Sequence, residues 1–275
     1  EAGIGAPPST WDELKTIAKK LHTPQRWGII IPGTKGTNDV NIFEGIAYAN
    51  GARWLSEDGK TVVIDDRGAI DALKLYVELM ADMKVTEPNF LETDYWQGVV
   101  LFFQNKAAMV AGMSWVPAIE GEIEAAPGFM YQMTVFPRNA KPSGSFPPAA
   151  SIMAPTTAAM LTTQSKHPKE AMKFLDFFAS YEYQKGWDGD PIPGRPPALK
   201  ANWASPDLKK VYPDLVELYN KGKLFEGALP MPAFPGLIEC ENLLGLGIQS
   251  ALLKTQTPEQ ALKDVAKKAQ KAADG

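Results

Sequence analysis

Cysteine is nearly absent from the chain: Cys240 stands alone among 275 residues, which excludes an internal disulfide and any cysteine-based zinc site. Its apolar surroundings make a buried, inert thiol the expectation. Histidine is almost as scarce. His22 and His167 both sit at helix ends beside Thr or Pro and share no ligand spacing, so no metal centre is expected. No apolar run approaches the roughly 18 residues a spanning helix needs, and no stretch reads as a signal peptide, so the residues are expected to be either mature or a fragment of something longer. Neither sign of charge dominates. The net charge is −4, and Lys and Arg are scattered except at Lys267, Lys268 and Lys271, a solvated helix face. That balance leaves no electrostatic footprint for nucleic acid or an anionic membrane. A phosphate loop, a nucleophile elbow and an HExxH helix are all missing. Gly245 and Gly247 lack the third glycine of a dinucleotide fingerprint, and close helix packing is the simpler use for them.

What is present is ordinary for a packed protein: 45% hydrophobic residues, 22% charged, and seven tryptophans. The length suits one large domain or, better, two. The organising stretch is 102–115. Asn105-Lys106 ends a helix that begins near Thr93, and Ala107 to Met113 is a small-residue run short enough only for a strand covered on both faces. It delivers Ser114 and Trp115 at the C-terminal edge, where open α/β sheets bind ligands.

Thr10 to Glu13 spells a capping box, and Leu14, Ile17, Ala18 and Leu21 make one apolar face behind it. Trp27 to Ile31 reads as a second doubly covered strand, followed by a polar loop, Thr34 to Asn41, in which Asn38, Asp39 and Asn41 can meet a ligand. A helix is expected from Ile42 to Asn50, a strand from Lys60 to Asp65, an amphipathic helix through Ile70, Leu73, Val77 and Met80, and a strand from Tyr131 to Phe136. Residues 137–148 form a Pro, Gly and Ser-rich crossing, and Ala149 to Ala154 a close-packed strand. Pro168 opens a helix that is apolar over a wide arc. The loop from Asp188 to Pro197 is stiffened by proline around Gly194 and Arg195, and Pro230 to Pro235 is stiffened likewise around Phe234. Helices over 238–253 and after Thr257-Pro258-Glu259-Gln260 complete an alternation that favours an α/β sheet with covered faces.

Four pieces in this order, Pro8 to Leu14, Phe103 to Met109 leading to Trp115, Ala171 to Phe178, and Thr257 to Leu262, resemble the C-terminal two-thirds of a bacterial extracellular solute-binding protein. The class it resembles is that of the maltose-binding protein, which serves carbohydrate ABC importers. The resemblance implies an α/β fold, periplasmic-binding-protein-like type II, with one nearly complete lobe plus a remnant of the other. By it, residues 1–147 are the first part of the second, C-terminal lobe; 148–192 are a remnant of the first, N-terminal lobe with its crossovers; and 193–275 complete the second lobe. The amino-terminal part of the first lobe and a lipoprotein or secretory signal have no counterpart.

The resemblance further implies non-catalytic binding of a sugar or oligosaccharide between hinged lobes, with no cofactor and no metal. Delivery would be to ABC permease subunits, in a periplasmic or extracellular location, membrane-tethered in a Gram-positive host. Membrane contact would then run only through the permease or a lipid anchor outside this chain. Within that frame Trp115 is a stacking platform for a pyranose face, Ser114 its neighbour, Arg195 beside Gly194 a fork of donors for hydroxyls, and Phe234 a second aromatic wall. Ala150 lies in a small-residue crossing beside the cleft. For each the alternative is structural: a core indole, an ion-paired surface arginine, solvated turn residues, a packed phenylalanine.

Two further readings stand beside this one. Glycosidase chemistry needs two carboxyl groups flanking one bond, and Asp65-Asp66 and Asp188 with Asp190 are the available pairs. Adjacent carboxylates diverge along a strand, and Asp-Gly-Asp-Pro is most simply a turn, so a carbohydrate-active hydrolase is the weaker alternative. A self-associating module is the other. Burying a Phe contributes ~1.5–3 kcal/mol against a net stability of about 5–15, so Phe174, Phe177 and Phe178 call for a cover. The 168–179 helix is therefore expected to dock on a complementing fragment, a second copy or a rearranged surface.

Overall fold

The computed structural model describes residues 3–112, 116, 123–149, 153–154, 159–184, 196–230 and 232–274. Ten helices run through them: α1 Trp11–Leu21, α2 Thr37–Ala49, α3 Arg67–Val77, α4 Tyr95–Phe103, α5 Pro168–Phe178, α6 Tyr181–Gln184, α7 Pro206–Val211, α8 Pro213–Asn220, α9 Leu237–Leu252 and α10 Pro258–Ala273. A π-helical turn, Glu78–Asp82, extends α3, and a 3-10 turn spans Lys200–Ala204.

Sheet structure is spare among the described residues. β1, Met153–Ala154, pairs in parallel with β2, Leu229–Pro230, Met153 lying opposite Leu229. The expected strands at 27–31 and 107–113, the latter over its described residues 107–112, run parallel through two bridges, Trp27 with Ala107 and Ile30 with Val110. Four backbone hydrogen bonds carry them, such as Ile30 N to Met109 O at 2.9 Å and Ala111 N to Ile30 O at 2.9 Å. Both faces of the first segment are covered at van der Waals contact. A Cβ placed on Gly28 would fall 2.0 Å from the Ala18 carbonyl oxygen of α1, and one on Gly98 of α4 would meet Ile30 Cγ2 at 3.0 Å.

The main core gathers α1, α2, α3, α9 and α10 around Phe43, Ile46, Trp54, Ile64, Leu73, Leu244 and Leu262. A second cluster, Trp203, Leu208, Tyr212, Leu215 and Val216, joins the 3-10 turn to α7 and α8. A third, Tyr95, Val99, Phe102, Phe103 and Val116, lies against α4. α6 is stitched to the 3-10 turn, because Asn202 Nδ2 donates to Tyr181 O at 3.0 Å and Leu199 N donates to Gln184 Oε1 at 2.9 Å.

The capping box expected at Thr10 with Glu13 forms, and the helix start expected at Thr257 forms with a box to Gln260. Four expectations change. α2 begins at Thr37 rather than Ile42, with Gly36 as its N-cap and no capping side chain, so Asn38, Asp39 and Asn41 lie on a helix, not in a loop. The cap of α4 is Asp94, not Thr93, in a box with Gln97. Lys60 to Asp65 makes a single bridge, Val62 with Leu55, and Gln270 engages two of its backbone groups: Val62 N donates to its Oε1 at 2.7 Å and its Nε2 donates to Lys60 O at 3.0 Å. Tyr131 to Phe136 forms no ladder; the Met133 amide donates to Asp214 Oδ2 at 2.7 Å, and Tyr131 packs on Phe102 and Phe103. α5 stands as expected. None of its residues is buried, Phe174 is 61% exposed, and Phe177 and Phe178 lean on Tyr183 of α6.

Candidate functional site

The C-terminal ends of the two parallel segments, at Ile31 and Ala111, define one edge of the fold. α2 leaves the first segment through the loop 32–36, and α4 enters the second through Asn105, whose φ of 58° turns the chain sharply. Both helices therefore begin at the same edge. Gln249 of α9 donates from Nε2 to Gly33 O at 3.2 Å and so fixes the loop from below.

Asp39 joins the two helix starts. In the first turn of α2 its Oδ1 accepts from the Tyr95 amide, first residue of α4, at 3.1 Å, while Oδ2 accepts from Thr34 Oγ1 in the loop. Burial pushes its carboxyl up to about 6, against the pull of those two donors. Asp39 is thus an internal tie beneath the edge. Asn38, next to it, is exposed on the rim, and Asn41 is half-buried with an Oδ1 that has no hydrogen-bond partner. On the neighbouring helix start Tyr95 is buried and Trp96 is 46% exposed, their rings 5.8 Å apart at 70°.

Phe234, half-buried, lies 6.1 Å from Trp54 with its ring tilted by 57°, and so packs toward the core at the approach to α9. Beneath that pair are two buried carboxyls. Glu44 of α2 accepts from Trp54 Nε1 at 2.6 Å through Oε1, and its Oε2 has no partner; neither oxygen of Glu241 on α9 has one. Burial, and then the charge of Glu241, push the Glu44 carboxyl up to about 8, and burial raises Glu241 as well. Sequence patterns missed Trp96, Glu44 and Glu241. A helix start at Asp94, signalled by Gln97 three residues on, is the cue that would have placed Trp96 on the rim.

The remaining sequence candidates, Ser114, Trp115, Ala150, Gly194 and Arg195, lie outside the described residues, as do Asp188 and Asp190. Asp66 caps α3: Oδ1 accepts from Ala69 N at 3.0 Å and Oδ2 from Ser145 N at 2.9 Å, so both oxygens hold backbone. Among the described residues no group of three or more His, Cys, Asp or Glu gathers as metal ligands, and no helix is long and apolar enough to cross a membrane.

The profile of the bacterial extracellular solute-binding proteins matches residues 1–185. The chain belongs to that family. A binding-protein candidate of Brucella abortus (strain 2308) is 31% identical over 274 residues, 98% of this solute-binding protein and 62% of the relative, so the chain spans less than two thirds of the relative's length. Among solved structures, maltose-bound MalE3 of T. maritima is similar at a TM-score of 0.77 and 25% identity, covering 98% of this chain and 66% of its own. An ABC transporter solute-binding protein from Thermotoga lettingae, bound to α-D-tagatose, gives 0.79 at 22% identity, covering 99% and 67%. The solute-binding protein thus has the type II periplasmic-binding-protein fold, α-rich, as one lobe plus a remnant, at about two thirds of its neighbours' length.

Proposed function

We propose that this protein binds a sugar or polyol without transforming it and presents it to the permease subunits of an ABC importer, outside the cytoplasmic membrane. The observation that carries the reading is the family match over residues 1–185, joined to an edge where two helices begin side by side. Solved proteins of the same fold hold maltose, tagatose and mannitol, which supports a polyhydroxylated ligand. Such ligands need aromatic faces for their C–H surfaces and amide or guanidinium groups for their hydroxyls. Trp115 and Phe234 are the aromatic walls in this proposal, and Asn38, Asn41, Ser114, Arg195 and the backbone at Ala150 and Gly194 the polar contacts.

In the same reading residues 1–147 and 193–275 form the second lobe, and 148–192 belong to the first. The apolar face of α5 then meets a complementing lobe or a second copy of the chain. Phe174 at 61% exposure and Phe177 at 42% support a covered role for that face.

Isothermal titration of the purified chain with maltose, D-tagatose and D-mannitol tests the function. Saturable heat with at least one of them, and no product by chromatography, is expected. Turnover would instead point to a hydrolase, and absence of heat with all three would remove carbohydrate from the reading.

A further inference from the structure

The rim of the candidate site carries an aromatic face that lies outside every candidate drawn from the sequence. Trp96 occupies the second position of α4, where Tyr95, Gly98, Val99, Phe102 and Phe103 are buried and Trp96 is 46% exposed. In an α-helix the Cα–Cβ bond tilts toward the N-terminus, so a long side chain in the first turn reaches past the start of the helix. For α4 that direction leads over the C-terminal edge of the 107–111 segment. Tyr95 marks the place: its hydroxyl comes within 3.9 Å of where a Cβ on Gly112 would stand. Asn38 stands in the first turn of α2 and is exposed in the same way, and the Asp39 to Tyr95 hydrogen bond at 3.1 Å holds the two helix starts together.

We propose that Trp96 is a ligand-stacking and specificity residue, an indole face over the strand edge that selects a pyranose ring over an acyclic polyol. The inference rests on the carbohydrate reading above and adds the shape of the ligand to it. A pyranose in its chair offers a flat patch of axial C–H groups to an aromatic face, whereas an extended polyol offers none of comparable area. The helix that carries the indole is held in place. It is capped by Asp94 with Gln97, is seated on Ile30 at Gly98, and is tied to α2 through Asp39, so its backbone costs little ordering on binding. Asn38 supplies a carboxamide on the same rim, able to donate and accept toward hydroxyls.

The test is calorimetric titration of the whole chain, wild type, Trp96→Phe and Trp96→Leu, with maltose and with D-mannitol, each variant checked by thermal melting. Stacking energies of this kind correspond to roughly 5- to 100-fold in affinity. Trp96→Leu, apolar but without a ring face, is expected to weaken maltose by about tenfold or more, while Trp96→Phe stays within about threefold and the melting temperature holds in both. Wild type is expected to prefer maltose to mannitol, and that preference to collapse in Trp96→Leu. Equal maltose affinity in wild type and Trp96→Leu overturns the role of Trp96 and leaves the carbohydrate function intact. So does a wild type that binds mannitol and not maltose. A wild type that gives no heat with either, nor with D-tagatose, overturns the function and this inference together.

Discussion

Trp54 and Glu44 form a hydrogen bond of 2.6 Å, indole Nε1 to carboxyl Oε1, in a core where neither residue reaches solvent. The bond satisfies one oxygen and leaves Oε2 without a partner, facing the electrostatic influence of Glu241. An ionised pair in that setting would be expensive. The favoured state holds a proton on Glu44.

That proton makes stability depend on pH. The Glu44 carboxyl is pushed from 4.5 to about 8 on folding, so the unfolded chain gives up a proton that the folded chain keeps. Stability from this group is complete below the unfolded value and is lost as pH rises toward 8, after which the loss levels off. The steepest slope one proton can give is about 1.4 kcal/mol per pH unit. Glu44→Gln cannot ionise and keeps an oxygen for the indole. Urea unfolding between pH 5 and 9 should show a flatter profile for the variant and a more stable variant at pH 8. Parallel profiles would mean that Glu44 is charged in the folded protein.

Asp39 predicts a different phenotype, because both its oxygens are engaged. Asp39→Ala strands the Tyr95 amide and the Thr34 hydroxyl and unties α2 from α4. Buried donors left without acceptors cost ~1–3 kcal/mol each, so a loss of about 2–4 kcal/mol is expected by chemical denaturation. Thr34→Ala removes one of the two contacts and should cost about 1 kcal/mol. Equal effects of the two substitutions would show that the tie to Tyr95 contributes nothing.

Close approach of α9 to α10 gives a third prediction. A Cβ on Gly247 would fall 2.5 Å from Val265 Cγ2, and Val265 is buried between the helices. Gly247→Ala should therefore destabilise the protein by about 1–3 kcal/mol through overpacking, even though alanine favours a helix. Gly5, with nothing within 4 Å of the same added atom, is the control, and Gly5→Ala should stay within about 0.5 kcal/mol. Thermal unfolding of the two variants compares a crowded position with an open one.

What could be foreseen follows from how far each signal reaches along the chain. Thr10 with Glu13 and Thr257 with Gln260 are pairs three residues apart, and both boxes form because nothing distant competes. The start of α2 escaped notice because Gly36 caps it without a side chain, and because Asn38-Asp39 resembles a turn. What commits Asp39 to a helix is Tyr95, 56 residues away. Lys60 to Asp65 has the alternation of a strand, yet Gln270, more than two hundred residues on, takes two of its backbone groups. The site divides in the same way. Its edge was legible from two short apolar runs, while the burial of Asp39 and the exposure of Trp96 depend on how α2 and α4 meet. Such meetings leave no local pattern.

α5 carries the last prediction, one in which stability and association should separate. Phe174 and Phe177 are 61% and 42% exposed, and Phe174 stacks on Phe178 at 6.2 Å rather than entering a core. Replacing them removes little buried area from the isolated chain, so Phe174→Ser with Phe177→Ser should change unfolding free energy by less than about 1 kcal/mol. A covered interface would behave otherwise. If the face meets a second copy, the wild type should show concentration-dependent mass in analytical ultracentrifugation and the double variant should sediment as a monomer at every concentration; if it meets a complementing lobe, an added first-lobe polypeptide should bind the wild type and not the double variant. A wild type that stays monomeric up to millimolar concentration and gains nothing from an added first-lobe polypeptide would show that these rings need no cover. Loss of several kcal/mol in the double variant would show instead that the rings are already packed within the chain, against Tyr183 and the start of α6.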